Sequence, residues 1–393
     1  INFTHIVDFM IMMPLGPQLM RLFSITPQQF GFLVSAYTLT AGFSGFLASF
    51  FIDRFDRKIG LLFFYTGFAF GTLACALADT YWVLLISRCV AGFFGGVLGS
   101  LIFSIVGDVI SFERRGTAMG VVMMSFSLAS VMGVPLSLYL ANHYGWHSPF
   151  VFLGLLSLLV GVVIFLLVPP LRIHLQDREF HPTAKQAWGQ LFSFFSEDSI
   201  RNSLIFAACL IFGQFTVIPF ISPSLVANAG LTEAQLPLIY LCGGAFTIIS
   251  SPLIGRCTDI YGKKIVFIIS ILLSILPLLL ITHLNKNFSL PAILVTNVLF
   301  FMVMGGRMIP AMAMISEAVV PAQRGSFMSV VSSVQQLSSA LAAGLAGFLV
   351  TRTQDGQLLH YNWVGYIAVA FSLLTLWLLS RMRSTQQEQK SKT

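Results

Sequence analysis

Asp53-Arg54-Phe55-Asp56-Arg57-Lys58 and, 206 positions later, Asp259-Ile260-Tyr261-Gly262-Lys263-Lys264 are the stretches on which the fold turns. Each is a short charged loop that follows a long apolar run. Further pairs keep nearly the same offset. Asp108 with Arg115-Gly116 is matched, 209 positions on, by Glu317 with Arg324-Gly325. Met119, Val121 and Leu128 are matched in the same register by Met328, Val330 and Leu337. Two similar halves are therefore joined in one chain. Repeats of this kind place a binding site between the halves, near the bilayer midplane.

Composition agrees. Of 393 residues only 9% are charged and 56% are hydrophobic, with a mean hydropathy of +0.86. An ordinary soluble domain carries roughly 25% charge, so a soluble enzyme, a disordered chain and a coiled coil are excluded. The net charge of +7 makes no case for nucleic acid. The basic residues sit in short loops between apolar runs, not in stripes. The five cysteines form no CxxC pair, and four lie inside apolar segments, as small core residues do. No disulfide framework or metal-ligand spacing is present in the sequence. The chain opens at Ile1, already inside an apolar run, which implies a short missing leader. Ile1 to Leu19 lacks the basic start and small-residue cleavage site of a signal peptide.

A helix needs ~20 apolar residues to cross a bilayer. Twelve such spans are predicted, at 1–20, 28–52, 59–79, 82–110, 117–143, 147–168, 201–221, 233–257, 264–284, 289–318, 325–351 and 361–380. The runs do not alternate, so a membrane barrel is excluded. The expected architecture is an all-α membrane protein of two pseudo-symmetric six-helix bundles, 1–168 and 201–381. A polar linker, 169–200, joins them and a tail, 382–393, follows. A short amphipathic helix is expected in the linker at Trp188 to Phe195. Of the 22 Lys and Arg residues, seventeen fall on the side of the linker and tail, three on the other, and Arg88 and Arg307 lie within spans. The positive-inside rule then places both termini in the cytoplasm. The predicted location is the plasma membrane, a bacterial inner membrane.

On these motifs the chain resembles the major facilitator superfamily over its full length. The family's loop signature is similar to G-x-x-x-D-R-x-G-R-K. The second half meets it with Gly255, Asp259, Gly262, Lys263 and Lys264. The first half meets it at Asp53, Arg54, Arg57 and Lys58 but has Ser49 and Asp56 where glycines are usual. Arg88 and Gly92 match a second motif in span 4. Within the superfamily the chain is most similar to the twelve-helix drug:proton antiporter and sugar-efflux branch. There the span-5 signature resembles G-P-x-x-G-G, whereas this chain has Gly133-Val134-Pro135-Leu136-Ser137. The displaced proline and absent glycine pair leave the transport direction open.

The resemblance implies that Asp53, Arg54, Arg57, Lys58, Asp108 and Arg115 form a cytoplasmic gate. Asp259, Lys263, Lys264, Glu317 and Arg324 are their counterparts in the second half. Ion pairs that form in one state and break in the other bias a rocking equilibrium. The bland alternative, topology-setting charge, suffices for Lys263 and Lys264. It suits Asp53, Asp108 and Glu317 less well, because acids contribute little to topology.

Ionisable residues at bilayer depth are functional by default. Asp8 is the expected proton carrier, about 20 Å below the outer end of span 1 at 1.5 Å per residue. His5, at i−3, shares its face. Arg88 lies only ~10 Å from the outer start of span 4. The resemblance gives it a role in proton transfer; its bland alternative is snorkelling to headgroups. Arg307 either pairs with Asp8 across the halves or binds an anionic substrate directly. Tyr37, Gln214, Asn297, Gln335 and Gln336 are candidate cavity residues, with interhelical hydrogen bonding as the alternative for the last two.

No nucleotide-binding loop or catalytic triad is present, so neither ATP nor any cofactor is expected. The expected partners are a small-molecule substrate, protons and the lipid bilayer, with the protein a monomer. The resulting reading is a proton-coupled exporter of amphipathic, drug-like or sugar-like molecules. Its competitors are an importer or facilitator of a small organic anion, and a non-transporting receptor or scaffold. The last predicts degraded gate charges, and both loops retain theirs.

Overall fold

The computed structural model describes residues 1–48, 52, 55–111, 114–172, 196–319 and 324–381, with only the backbone described at 115–117 and 324–326. Asp53, Arg54, most of the linker with its expected amphipathic helix, and the tail from 382 lie outside these residues. So do the side chains of Arg115 and Arg324.

All twelve spans are helical. Nine are essentially unbroken helices: Pro27–Ala48, Arg57–Ala76, Tyr81–Val109, Ser148–Leu167, Leu236–Tyr261, Lys263–Thr282, Leu290–Ser316, Arg324–Leu349 and Tyr361–Leu379. Ten of the helices are long and apolar enough to cross a membrane. The other two spans fall short for readable reasons. Span 11 is diluted by Ser332, Ser333, Gln335, Gln336, Ser338 and Ser339. Span 1 is broken.

The breaks follow proline. Span 1, expected as one helix, is Asn2–Ile11 and Gly16–Leu22 with a turn at Pro14 between them. Proline has no amide hydrogen and its ring clashes with the preceding turn. Span 5 is Arg115–Leu128 and Val134–Tyr144 about a π-turn at Ala129–Gly133. Pro135 cannot bond the Val131 carbonyl, and the amide of Val134 reaches back five residues to Ala129. Span 7 runs past its expected end. A 3-10 turn at Ile218–Phe220, centred on Pro219, links Asp198–Val217 to Ile221–Ala227. Gly262, at φ +88°, makes the one-residue corner between spans 8 and 9. Between spans 11 and 12 two short strands, β1 (Thr351–Arg352) and β2 (Leu358–Leu359), pair antiparallel.

The halves meet where spans 2 and 11, and spans 5 and 8, pack together. Small residues permit this: a Cβ on Gly31 would lie 2.8 Å from the Ala343 carbonyl and 2.9 Å from the Gly347 Cα. Contact is uneven in depth. On the face opposite the basic loops, one buried core draws on both halves, with Leu15, Leu19 and Phe30 against Phe220, Leu225 and Ala343. On the basic face the buried cores are separate, with Phe64, Tyr65 and Leu98 in the first half and Phe206, Phe267 and Ile315 in the second, and only Phe46 of span 2 packs from the first half onto the second core among the described residues. Span 8 packs on the π-turn and on Val134–Tyr144 but barely on Arg115–Leu128. The molecule is thus closed at the opposite face and parted toward the basic face along spans 5 and 8. A bidentate ion pair crosses the closed face, Arg21 Nη1 to Glu233 Oε1 at 2.5 Å and Nη2 to Oε2 at 3.2 Å. Beside it Gln18 donates to Asn142 at 2.6 Å, and Asn142 donates to the Glu233 carbonyl at 3.2 Å.

Candidate functional site

The short first helix of span 1 carries His5 and Asp8 one turn apart, facing spans 2, 3 and 4. Span 4 comes close enough because Gly92 and Gly96 lie against the backbone of Tyr37 and Ala41. Asp8 is fully buried. Arg88, 1% exposed, donates to Asp8 Oδ2 at 2.9 Å and to the Asp8 carbonyl at 3.3 Å. Thr72 of span 3 donates to the other carboxylate oxygen at 3.2 Å. The guanidinium carbon sits 4.4 Å from the centre of the Tyr37 ring, within cation–π range. Spans 3 and 4 therefore hold the carboxylate of span 1, and an aromatic face of span 2 backs the guanidinium. Breaking such a pair by removing one partner costs about 3–5 kcal/mol, since the other charge stays buried.

Several polar atoms beside the pair have no partner. They are both ring nitrogens of His5, the Tyr37 hydroxyl and Arg88 Nε. Gly95 faces them: a Cβ there would lie 2.7 Å from the Tyr37 hydroxyl and 3.2 Å from His5 Nε2. Phe9 bridges from Tyr37, at a ring distance of 5.5 Å, to Phe215 of the second half, at 5.9 Å. The pair thus lies immediately behind the seam between the halves.

Arg307 does not pair with Asp8. It is fully buried in span 10 and donates to the Ser372 hydroxyl of span 12 at 3.1 Å, while its Nε and Nη2 have no partner. Similar depth misled, because Arg307 lies on the buried stripe Phe300, Met304, Arg307 and Ala311, which turns into its own bundle. Nor does Arg88 snorkel to a headgroup; it turns inward to Asp8.

The polar candidates divide. Gln335 donates to Met312 Sδ at 3.5 Å, and Gln336 packs against Gly42, so both sit in helix contacts. Asn297 donates to the Ile293 carbonyl of its own helix at 2.9 Å. The carbonyl oxygens of Asn297 and Gln214 are buried without partners. A separate cavity of about 630 Å³ at the closed face is lined by Arg21, Thr26, Phe348 and Arg352 and includes none of Asp8, Arg88 and Arg307.

At the basic face Arg57 Nε donates to Asp108 at 3.0 Å. Lys263 pairs with Glu317, so topology alone does not account for that lysine. Lys58 donates to the Phe165 carbonyl at 2.9 Å. Asp259 is exposed. Asp56, read in the sequence only as a departure from glycine, is a hub. It accepts from Arg172 at 2.9 Å, from the Leu171 amide at 3.0 Å and from the Lys58 amide at 2.9 Å, capping span 3. Burial pushes its carboxyl up, but these hydrogen bonds, that of Arg172 foremost, outweigh burial and hold it below its usual range. Thr72 and the Arg21–Glu233 bridge were also missed. Their partners lie 64 and 212 positions away, with no repeat to signal them.

The model of the Major Facilitator Superfamily matches residues 1–212 and again 203–393. An uncharacterized MFS-type transporter of Bacillus subtilis, YceJ, is 24% identical over 98% of this chain and 95% of its own length. A probable sugar efflux transporter of Helicobacter pylori strain J99 is 24% identical over 60% of this chain and 57% of its own. Among solved structures, the D-xylose-proton symporter superposes with a TM-score of 0.79 at 16% identity, over 98% of this chain and 96% of that one. A bacterial homologue of the human lysosomal transporter Spinster, inward-facing, gives 0.75 at 17% identity, over 98% and 96%. Duplicated charged loops, twelve spans in two bundles and a family match to each half agree: this chain is an integral membrane protein of the major facilitator superfamily.

Proposed function

We propose that the protein is a proton-coupled secondary transporter that exports small amphipathic, drug-like or sugar-like molecules by alternating access. The observation that carries the reading is the buried Asp8–Arg88 pair with Thr72 as third partner. Protonating Asp8 removes its charge and releases Arg88 within a buried site, so proton loading is tied to rearrangement at the seam. The Lys and Arg excess makes the basic face cytoplasmic. In this conformation the molecule is then parted toward the cytoplasm and closed outside by Arg21–Glu233. The two bundles, 1–168 and 201–381, are the bodies that rock, and the linker keeps them in one plasma-membrane protein acting as a monomer. Arg57–Asp108 and Lys263–Glu317 each lie within one half, so they brace the cytoplasmic ends of their own bundle. A sugar-like substrate is supported by the name of the Helicobacter relative. Import or facilitated transport of a small organic anion is the second reading, supported by the buried Arg307. The chain uses no ATP and catalyses no covalent chemistry.

The test is flux of a substrate library in proteoliposomes under an imposed pH gradient. Wild type should move at least one compound against its gradient, driven by protons. Asp8→Asn should lose that dependence by tenfold or more. Flux that ignores the pH gradient in wild type overturns the coupling.

A further inference from the structure

With Asp8 satisfied by Arg88, Arg307 is left over. It is fully buried, and its one partner among the described residues is the Ser372 hydroxyl. That hydroxyl is already committed, donating to the Ala368 carbonyl at 2.8 Å. No carboxylate forms a salt bridge with Arg307 among the described residues. A buried cation without a counter-charge costs several kcal/mol. The unpartnered atoms are Nε and Nη2. These share one edge of the planar guanidinium, the edge that takes both oxygens of a carboxylate at once.

The helix around Arg307 is weakened. Pro310 cannot bond the Gly306 carbonyl, and Gly305 and Gly306 come just before the arginine. A Cβ on Gly305 would meet nothing within 4 Å. Residues two apart lie ~200° around a helix, so the open side is across the axis from Ser372. Turning this one segment carries the guanidinium from Ser372 toward open space. Met308 and Met312 on the same helix are half-buried and supply an adaptable apolar wall.

We propose that Arg307 is the anion anchor of the transported molecule, a small amphipathic organic acid whose carboxylate occupies the Nε–Nη2 edge. This rests on the transport reading above and names its substrate class; it holds for either direction of transport.

The test is binding to the full-length protein in detergent. The probes are benzoate, phenylacetate and octanoate, each beside its primary amide, followed by calorimetry and thermal shift. At least one acid should bind and its amide should not. Arg307→Gln should weaken that acid by tenfold or more. Arg307→Lys, which keeps the charge and loses the fork, should fall between. Ser372→Ala, which removes a neutral partner of Arg307 and no charge, should bind it at least as tightly as wild type. Should Arg307→Gln fail to yield monodisperse protein, Arg307→Lys against Ser372→Ala decides. Equal binding of acid and amide, no binding of any acid, or indifference to Arg307 overturns the proposal. Gradient-driven flux lost in Asp8→Asn together with acid binding indifferent to Arg307 leaves the coupling reading standing and removes only this one. The reverse pattern removes only the coupling.

Discussion

Asp8 and Arg88 are best treated as one unit. Arg88→Met leaves a carboxylate buried without its counter-ion, and the expected loss of stability is about 3–5 kcal/mol. The double variant Asp8→Asn with Arg88→Met should recover most of that loss, because no charge is left stranded. Unfolding midpoints in detergent for the two single variants and the double variant test this. A double variant as unstable as the sum of the singles would deny the coupling. Thr72→Val removes one hydrogen bond to the Asp8 carboxylate, and the expected cost is about 1.5–3 kcal/mol. Asp56 answers to pH in a defined direction. Its folded carboxyl titrates below its ordinary value, so the stabilisation it supplies is full above that value. It is lost as pH falls through the lower, folded value. Protease cleavage after Arg172 should therefore accelerate only in acid below the usual carboxylate range, near ~4. Asp56→Asn should cleave fast at all pH.

At the scale of single elements, irregularity sits where the halves meet. The π-turn of span 5 presents Ser130 and Val131 to Gly244 of span 8, and Gly133 to Val7 of span 1. A regular helix would rotate these contacts away. Pro135→Ala permits that regular helix, so transport is expected to fall severalfold with little loss of helix content, as flux and circular dichroism together would record. Spans 2 and 11 leave less room. Gly31→Val puts side-chain atoms into the Ala343 carbonyl and the Gly347 backbone, and overpacking of this kind costs ~1–3 kcal/mol. A lowered midpoint with intact expression is the expected result.

The whole molecule is held in one state by contacts that differ between its faces. The opposite face carries a shared apolar core and the Arg21–Glu233 bridge, with Arg21 61% exposed. An exposed pair is worth ~0.2–1 kcal/mol. Glu233→Gln should therefore move the equilibrium toward opening at that face by only about 1.4-fold to fivefold. Spin labels at Ser24 and Thr232 would read it as a longer-distance population. No change, or complete conversion, would mean that the bridge is not a modest contributor to closure.

Twelve spans, the two-fold repeat and the sidedness of charge were legible along the chain. They depend on the identity of neighbouring residues: ~20 apolar residues cross a bilayer whatever they touch, and Lys and Arg near span ends orient it. Even the breaks in spans 1, 5 and 7 were marked by prolines, though the sequence does not say whether a proline kinks a helix or splits it. That Asp8, Arg88 and Arg307 lie within the spans was legible for the same reason, since charge at that depth is costly wherever it occurs. Their pairing was not. Depth along a helix can be counted from the sequence, but which way a side chain turns depends on how neighbouring helices rotate and pack. Only the tertiary structure decided that Gly92 and Gly96 let span 4 close on span 2 so that Arg88 reaches Asp8, that Thr72 joins them, and that Arg307 turns into its own bundle with no acid to meet it among the described residues.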